Sequence, residues 1–211
     1  AVDMVNVGEA DILMKGLCST DKYMRGILNK EKGLLPPKAV LSHVCVVQNP
    51  GYHKLLVISD IAVIPAPDLK QKQAMIGYVA NTARALGVEK PKVAMITATE
   101  QMLPGMPACV EAAMLAKMSD RGQIAGCVVD GPLALDVALC KEAAEIKKLK
   151  SEVAGDADCL VFPSIEAANV FYKFAGHFCP GVKMAAMVAG AKVPCVLSSR
   201  ADSTETKLNS I

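Results

Sequence analysis

The chain of 211 residues carries 23 basic and 21 acidic side chains, for a net charge of +2, and 52% of its residues are hydrophobic. This near balance supplies no broad cationic footprint for nucleic acid or an anionic membrane, and no apolar run reaches the roughly 18 residues of a membrane span. The length allows one large α/β domain or two small ones, each able to bury a core.

In chain order, residues 1–7 read as the middle of a helix, and 10–14 as a short strand ending in a Lys15-Gly16 turn. A helix follows over 21–29, with hydroxyl residues ahead of it and Arg25 in its second turn. Residues 43–47 and 55–59 flank Asn49-Pro50-Gly51, which predicts one antiparallel hairpin within a mixed sheet. Pro65 and Pro67 precede a helix over 68–86, which Gly87 closes. Then strands over 93–97, 125–129, 159–162, 185–189 and 193–197 alternate with helices over 106–119, 138–149 and 165–175 and from 203 onward. Such alternation is the pattern of β-α units around a mostly parallel sheet. Residues 32–37 (KGLLPP) are the best linker, with 180–182 a second. A chain that leaves one lobe near 34 and returns near 183 makes two lobes: 1–33 with 183–211, and 34–182. That topology would let Arg25 and Arg200 meet across a long sequence separation.

The eight cysteines, at 18, 45, 109, 127, 140, 159, 179 and 195, are dispersed, with no CxxC and no histidine at ligand spacing. They read as small reduced core residues, which places the protein in a reducing cytoplasm.

Ligands of open α/β sheets gather beyond strand ends, and two segments put similar chemistry there. The first is Lys15, Thr20 and Arg25; the second is Ser199 and Arg200, followed by Asp202 as helix N-cap and Glu205 completing a capping box. Two guanidinium groups can clamp one phosphate through paired planar donors. The alternative is a pair of ordinary turns with solvated arginines. Asp130, in Asp-Gly-Pro, and Asp60 are also strand-end carboxylates, and for both a plain turn is the stronger reading. Ser164 is a helix cap, whereas Asn169 stands where a helix face could meet a ligand. His43, His53 and His177 share no triad spacing, and none is assigned as a general base. No GxGxxG or GxxxxGK[ST] is present, and with 4 Tyr, 4 Phe and 0 Trp a stacking platform for bases is not expected.

The segments GEADILMKG, STDKYMR, LSHV, YHKLLVISDIAV, KMSDRGQIAGCVVDGPLALD, KEAAEIK, VAGDADCLVFPSIEAAN and VLSSRADSTETKLNSI extend over nearly the whole chain. Together they make it resemble the phosphate acetyl/butyryl transferase family, its butyryltransferase branch most of all. That resemblance implies a two-lobed α/β fold like that of isocitrate and isopropylmalate dehydrogenases, with the site in the interlobe cleft. It implies reversible transfer of a short-chain acyl group, butyryl or branched, from coenzyme A to phosphate by direct attack in a ternary complex. Coenzyme A is then a substrate, no cofactor is tightly bound, and a homo-oligomer is expected. In the family's pattern Ser199 meets the reacting thiol or oxyanion, and Arg200 and Arg25 hold phosphate; Thr20 and Lys15 are read as joining the phosphate site, and Asp130 and Asn169 as lining the cleft.

Three positions depart from that pattern. Thr206 replaces the carboxylate that serves the acetyltransferase branch as base, leaving Glu205 as the nearest candidate; Ile64 replaces an asparagine, and Ala168 a glycine. The family also has further residues ahead of the equivalent of Ala1, so an incomplete first lobe is expected. A non-catalytic module that senses CoA esters or phosphate, and the transferase half of a fused enzyme, are the alternatives.

Overall fold

Among the described residues every strand lies in one eight-stranded sheet of order β1-β8-β7-β2-β3-β6-β4-β5. A computed structural model of the chain describes residues 1–200 and 202–211. The strands are β1 (Leu13–Met14), β2 (Ser42–Gln48), β3 (Leu55–Ser59), β4 (Lys92–Ile96), β5 (Val128–Leu133), β6 (Cys159–Val161), β7 (Lys183–Ala189) and β8 (Cys195–Val196). The helices are α1 (Val2–Asn6), α2 (Thr20–Leu28), α3 (Leu69–Ala85), α4 (Pro107–Asp120), α5 (Leu135–Leu139), α6 (Lys141–Ile146), α7 (Ile165–Phe178) and α8 (Thr204–Asn209).

β3, β6, β4 and β5 pair in parallel, as βαβ connections through helices require, and β1 pairs β8 in parallel. The expected hairpin is present: β2 runs antiparallel to β3, with Cys45 opposite Ile58. β2 is also antiparallel to β7 along its length, and β7 to β8. The sheet is therefore mixed, and the β2/β7 ladder joins its two parallel portions.

The sheet's alternation sorts its side chains into two buried layers. Cys45, Val47, Leu56 and Ile58 pack with Tyr172 and Ala168 of α7 and with Val137 and Ala138 of α5. Val44 and Val57 face the other way, against Met75, Ile76 and Val79 of α3 and Leu115 of α4. A third cluster joins Tyr23 and Ile27 of α2 to Leu13, Cys195 and Leu197. The eight thiols are free, with Cys18 and Cys140 exposed.

Local signals set most boundaries. Asp68 caps α3 by accepting from the Gln71 N–H at 2.7 Å, and the Gln71 side chain returns the bond at 2.9 Å. Gly87 after it has φ +95, a conformation that favours glycine.

Three expectations need correction. The helix expected over 138–149 is two short helices, α5 and α6, broken at Cys140, whose φ −117 and ψ 114 are extended. The strand expected over 125–129 starts and ends later, at Val128–Leu133, so Asp130-Gly131-Pro132 lies within β5 rather than in a turn. Proline is tolerated there because β5 is an edge strand and its pairing with β4 shifts register between Ala94, opposite Asp130, and Ile96, opposite Leu133, an irregularity that brackets Pro132. Finally, the cap of α8 is Ser203, which accepts from the Thr206 N–H at 3.0 Å, and not Asp202. Asp202 is drawn off to stronger partners, described next.

Candidate functional site

Beyond Val196 the chain leaves β8 and crosses the sheet face. The Leu197 carbonyl comes within 2.8 Å of His43 Nε2, although β7 lies between their two strands. This crossing builds one wall of a cavity of about 160 Å³. Ser198 and Ser199 line that wall, and Thr20 at the start of α2 adjoins them. Ile61 and Ala62, just past β3, and Asn169, Tyr172 and Lys173 of α7 complete it with His43.

The Asp202 carboxylate braces the serine turn. Asp202 Oδ2 accepts the Ser199 N–H at 2.6 Å and the Tyr172 hydroxyl at 2.9 Å. The middle of α7 and the loop after β8 are thus fixed on one oxygen. Burial, and then the charge of Asp202, raises the phenol of Tyr172 above its ordinary pKa, so it stays a donor.

Asp60 plays the corresponding part on the opposite wall. Its carboxylate is 2% exposed. It accepts Ser42 Oγ at 2.9 Å, the His43 N–H at 3.0 Å, and the N–H groups of Ala62 and Val63, each at 2.8 Å. So Asp60 is neither a plain turn residue nor a free ligand: its oxygens pin the loop that carries Ile61 and Ala62. Asn169 ties α7 to that loop by donating to the Ile61 carbonyl at 3.0 Å.

The structure therefore brings Thr20, Asn169 and Ser199 to one cavity. The other sequence candidates lie elsewhere. Arg25 is on the exposed face of α2, its Nη2 2.9 Å from Asp21 Oδ2. Arg200 is exposed directly after Ser199, and its carbonyl accepts from Lys207 Nζ at 3.3 Å. Lys15 is buried, with its ammonium turned onto the Gly16 and Cys18 carbonyls at 3.1 and 3.2 Å. Glu205 pairs with Lys183 at 2.7 Å on a separate groove beside β7. Asp130 sits in β5, at the far edge of the sheet, accepting the Gly131 N–H at 2.8 Å.

Sequence reasoning missed His43, Asp202 as a brace, Tyr172 and Lys173. One signal was available: His43 interrupts the apolar strand run Leu41 to Val47, and an imidazole buried in a strand must find partners. Among the described residues no group of three or more His, Cys, Asp and Glu is placed to hold a metal ion. No helix among them is long and apolar enough to cross a membrane.

Comparison with known proteins agrees along the whole chain. The family model described as phosphate acetyl/butaryl transferase matches residues 1–211. A phosphate butyryltransferase of Clostridium acetobutylicum is 49% identical over 211 residues, all of this chain and 69% of the relative. A phosphate acetyltransferase of Thermotoga maritima is 47% identical over 211 residues, 71% of its length. Among solved structures, a branched-chain phosphotransacylase from Enterococcus faecalis V583 superposes with a TM-score of 0.89 at 36% identity, covering 100% of this chain and 74% of the other.

Proposed function

From the premise that the chain belongs to the phosphate acetyl/butyryl transferase family, we propose that it moves a short-chain acyl group between coenzyme A and inorganic phosphate. The observation that carries this reading is the cavity that joins Ser199, Thr20 and Asn169 from three separate segments. The chain is an acyltransferase, and its relatives' names favour turnover over a silent binding module.

The chemistry follows from those positions. A phosphate oxygen attacks the thioester carbonyl, the oxygen of the tetrahedral intermediate takes up charge, and the thiolate leaves. Donors fixed before the reaction stabilise that charge without reorganising, each worth about 3 kcal/mol or roughly a hundredfold in rate. Ser199 is that donor in this reading, its turn held by Asp202. In this reading Arg200, next to Ser199, and Arg25, in the helix that Thr20 begins, hold phosphate with the help of Lys15, although none of the three lines the cavity itself. Glu205 and Asp130 have weaker support, being an ion-paired surface group and a far-edge residue.

Transfer is direct, in a ternary complex; the buried thiols Cys45, Cys109, Cys159 and Cys195, in strands and a helix, and Cys127, just ahead of β5, do not line the cavity. Segments 1–33 with 183–211 form one lobe and 34–182 the other. Strand order supports that division, because β1, β8 and β7 all come from the first set and the remaining five strands from the second. Butyryl and branched acyl groups are the favoured substrates, and the cytoplasm the place of action. The likeness to a butyryltransferase and to a branched-chain phosphotransacylase supports the first point.

The test is thiol release from butyryl-, isobutyryl- and acetyl-CoA with and without phosphate. Phosphate-dependent release, fastest with the longer or branched esters, is the expected result. No dependence on phosphate would defeat the assignment, and a preference for acetyl-CoA would defeat the substrate choice alone.

A further inference from the structure

The cavity beside Ser199 has in its wall a ring whose buried nitrogen nothing in the chain satisfies. His43 is 3% exposed, and its Nε2 lies 2.8 Å from the Leu197 carbonyl. A carbonyl oxygen only accepts, so Nε2 carries the hydrogen and Nδ1 presents a bare lone pair. Among the described residues Nδ1 has no hydrogen-bond partner. A buried acceptor left empty is costly, and each such group in a native fold calls for an explanation, a catalytic role among them.

No other side chain around the cavity can accept a proton as readily. Lys173 is a donor, Asn169 spends its amide N–H on Ile61, and the Tyr172 hydroxyl is committed to Asp202. The carboxylates nearby are occupied as braces: Asp60 by Ser42, His43 and the 62–64 backbone, Asp202 by Ser199 and Tyr172. Glu205 is paired with Lys183 on another face.

We propose that His43 Nδ1 is the proton relay of the acyl transfer, exchanging one proton between the attacking or leaving phosphate oxygen and the sulfur of coenzyme A. This rests on the phosphate acyltransferase reading. In the direction from acyl phosphate, the S–H bond breaks and its proton goes to Nδ1 while sulfur bonds to the acyl carbon. The C–O bond to phosphate then breaks, the oxygen keeps the electron pair, and that oxygen takes the proton back from Nδ1. The reverse direction moves the same proton from hydrogen phosphate to the departing thiolate, so charge and atoms balance either way.

The surroundings suit the task. Burial lowers the imidazole below its ordinary pKa, which keeps Nδ1 free at neutral pH. The Leu197 carbonyl and the charges of Asp60 and Asp202 oppose that shift and would steady the imidazolium once formed. Tyr172 stays a neutral donor throughout.

The experiment compares His43→Gln with the unaltered protein in both directions across pH. Glutamine keeps an amide N–H for the Leu197 carbonyl but cannot carry the proton. The expected result is a kcat lower by about a hundredfold, a much smaller change in KM, and loss of the acid limb of the pH profile. A variant that folds, by circular dichroism, yet keeps kcat within about twofold and the same acid limb would overturn the proposal. Should His43→Gln not fold, 15N-histidine NMR of the unaltered chain decides, with His53→Gln and His177→Gln assigning the other rings. Movement of the His43 Nδ1 signal on adding coenzyme A supports the contact, and a stationary signal overturns it. An unaltered protein without phosphate-dependent CoA release would defeat the functional reading instead, and the same NMR titration would then judge the His43 contact by itself.

Discussion

The Asp202 carboxylate reaches back to the Ser199 backbone N–H at 2.6 Å, and the same oxygen accepts the Tyr172 hydroxyl at 2.9 Å. A helix on one face of the sheet and the serine turn leaving β8 are thereby locked to one another. Hydrogen bonds to a charged group are each worth about 1.5–3 kcal/mol, more than a neutral pair. Asp202→Asn keeps the shape and loses the charge. Its kcat is expected to fall about tenfold or more, and Tyr172→Phe, which removes one donor, to fall less. Steady-state kinetics on both variants and the double variant measure the coupling; strictly additive effects would separate the two residues.

Ser199→Ala removes the hydroxyl but not the backbone N–H that Asp202 holds. The turn should survive, so melting temperature stays near that of the parent while kcat drops about a hundredfold. A kcat within about threefold of the parent would take the hydroxyl out of the reaction.

Arg25 is 79% exposed at its side chain and spans one helical turn to Asp21. Exposed pairs of this kind contribute about 0.3–0.5 kcal/mol, so Arg25→Ala should barely change stability. If the guanidinium holds phosphate, the KM for phosphate rises about tenfold or more in Arg25→Ala and in Arg200→Ala, with the KM for acyl-CoA much less affected. Equal effects on both substrates would argue against a phosphate contact.

Asp156 anchors a second charged cluster, away from the serine cavity, where Lys54, Lys92 and His53 converge at 2.7, 2.6 and 2.9 Å. Desolvation raises its pKa, but the bonds to Lys54, Lys92 and His53 outweigh this and hold the carboxyl well below the usual range. A folded-state pKa below the unfolded value adds stability that is present above the unfolded pKa of about 3.9 and is lost as pH falls through the folded one. Asp156→Asn is therefore expected to melt below the parent at pH 7, with the gap closing below about pH 4. A gap that widens in acid would contradict the sign.

Much of the framework was legible in the sequence because it rests on short-range chemistry. Asp68 with Gln71, Gly87, and Asn49-Pro50-Gly51 are local devices, and each produces the cap, stop or hairpin that its residues require. Where a local reading failed, a long-range partner had outbid it. Asp202 could have capped α8, but Ser199 and Tyr172 claim it and Ser203 takes the cap. Pro132 could have ended β5, but an edge strand whose pairing with β4 shifts register at that point accommodates it.

By itself the sequence determined the α/β alternation, most helix and strand locations, the family resemblance, and Ser199, Thr20 and Asn169 as site candidates. Those follow from periodicity, capping and residue type, which act over a few positions. Only the tertiary structure decided that the chain after Val196 crosses the sheet face onto His43, that Asp202 and Asp60 are braces rather than ligands, and that Glu205 belongs to Lys183. Each of those outcomes depends on which buried donor finds which acceptor across strands that the sequence keeps far apart, and burial makes an unmet partner costly enough to settle the choice.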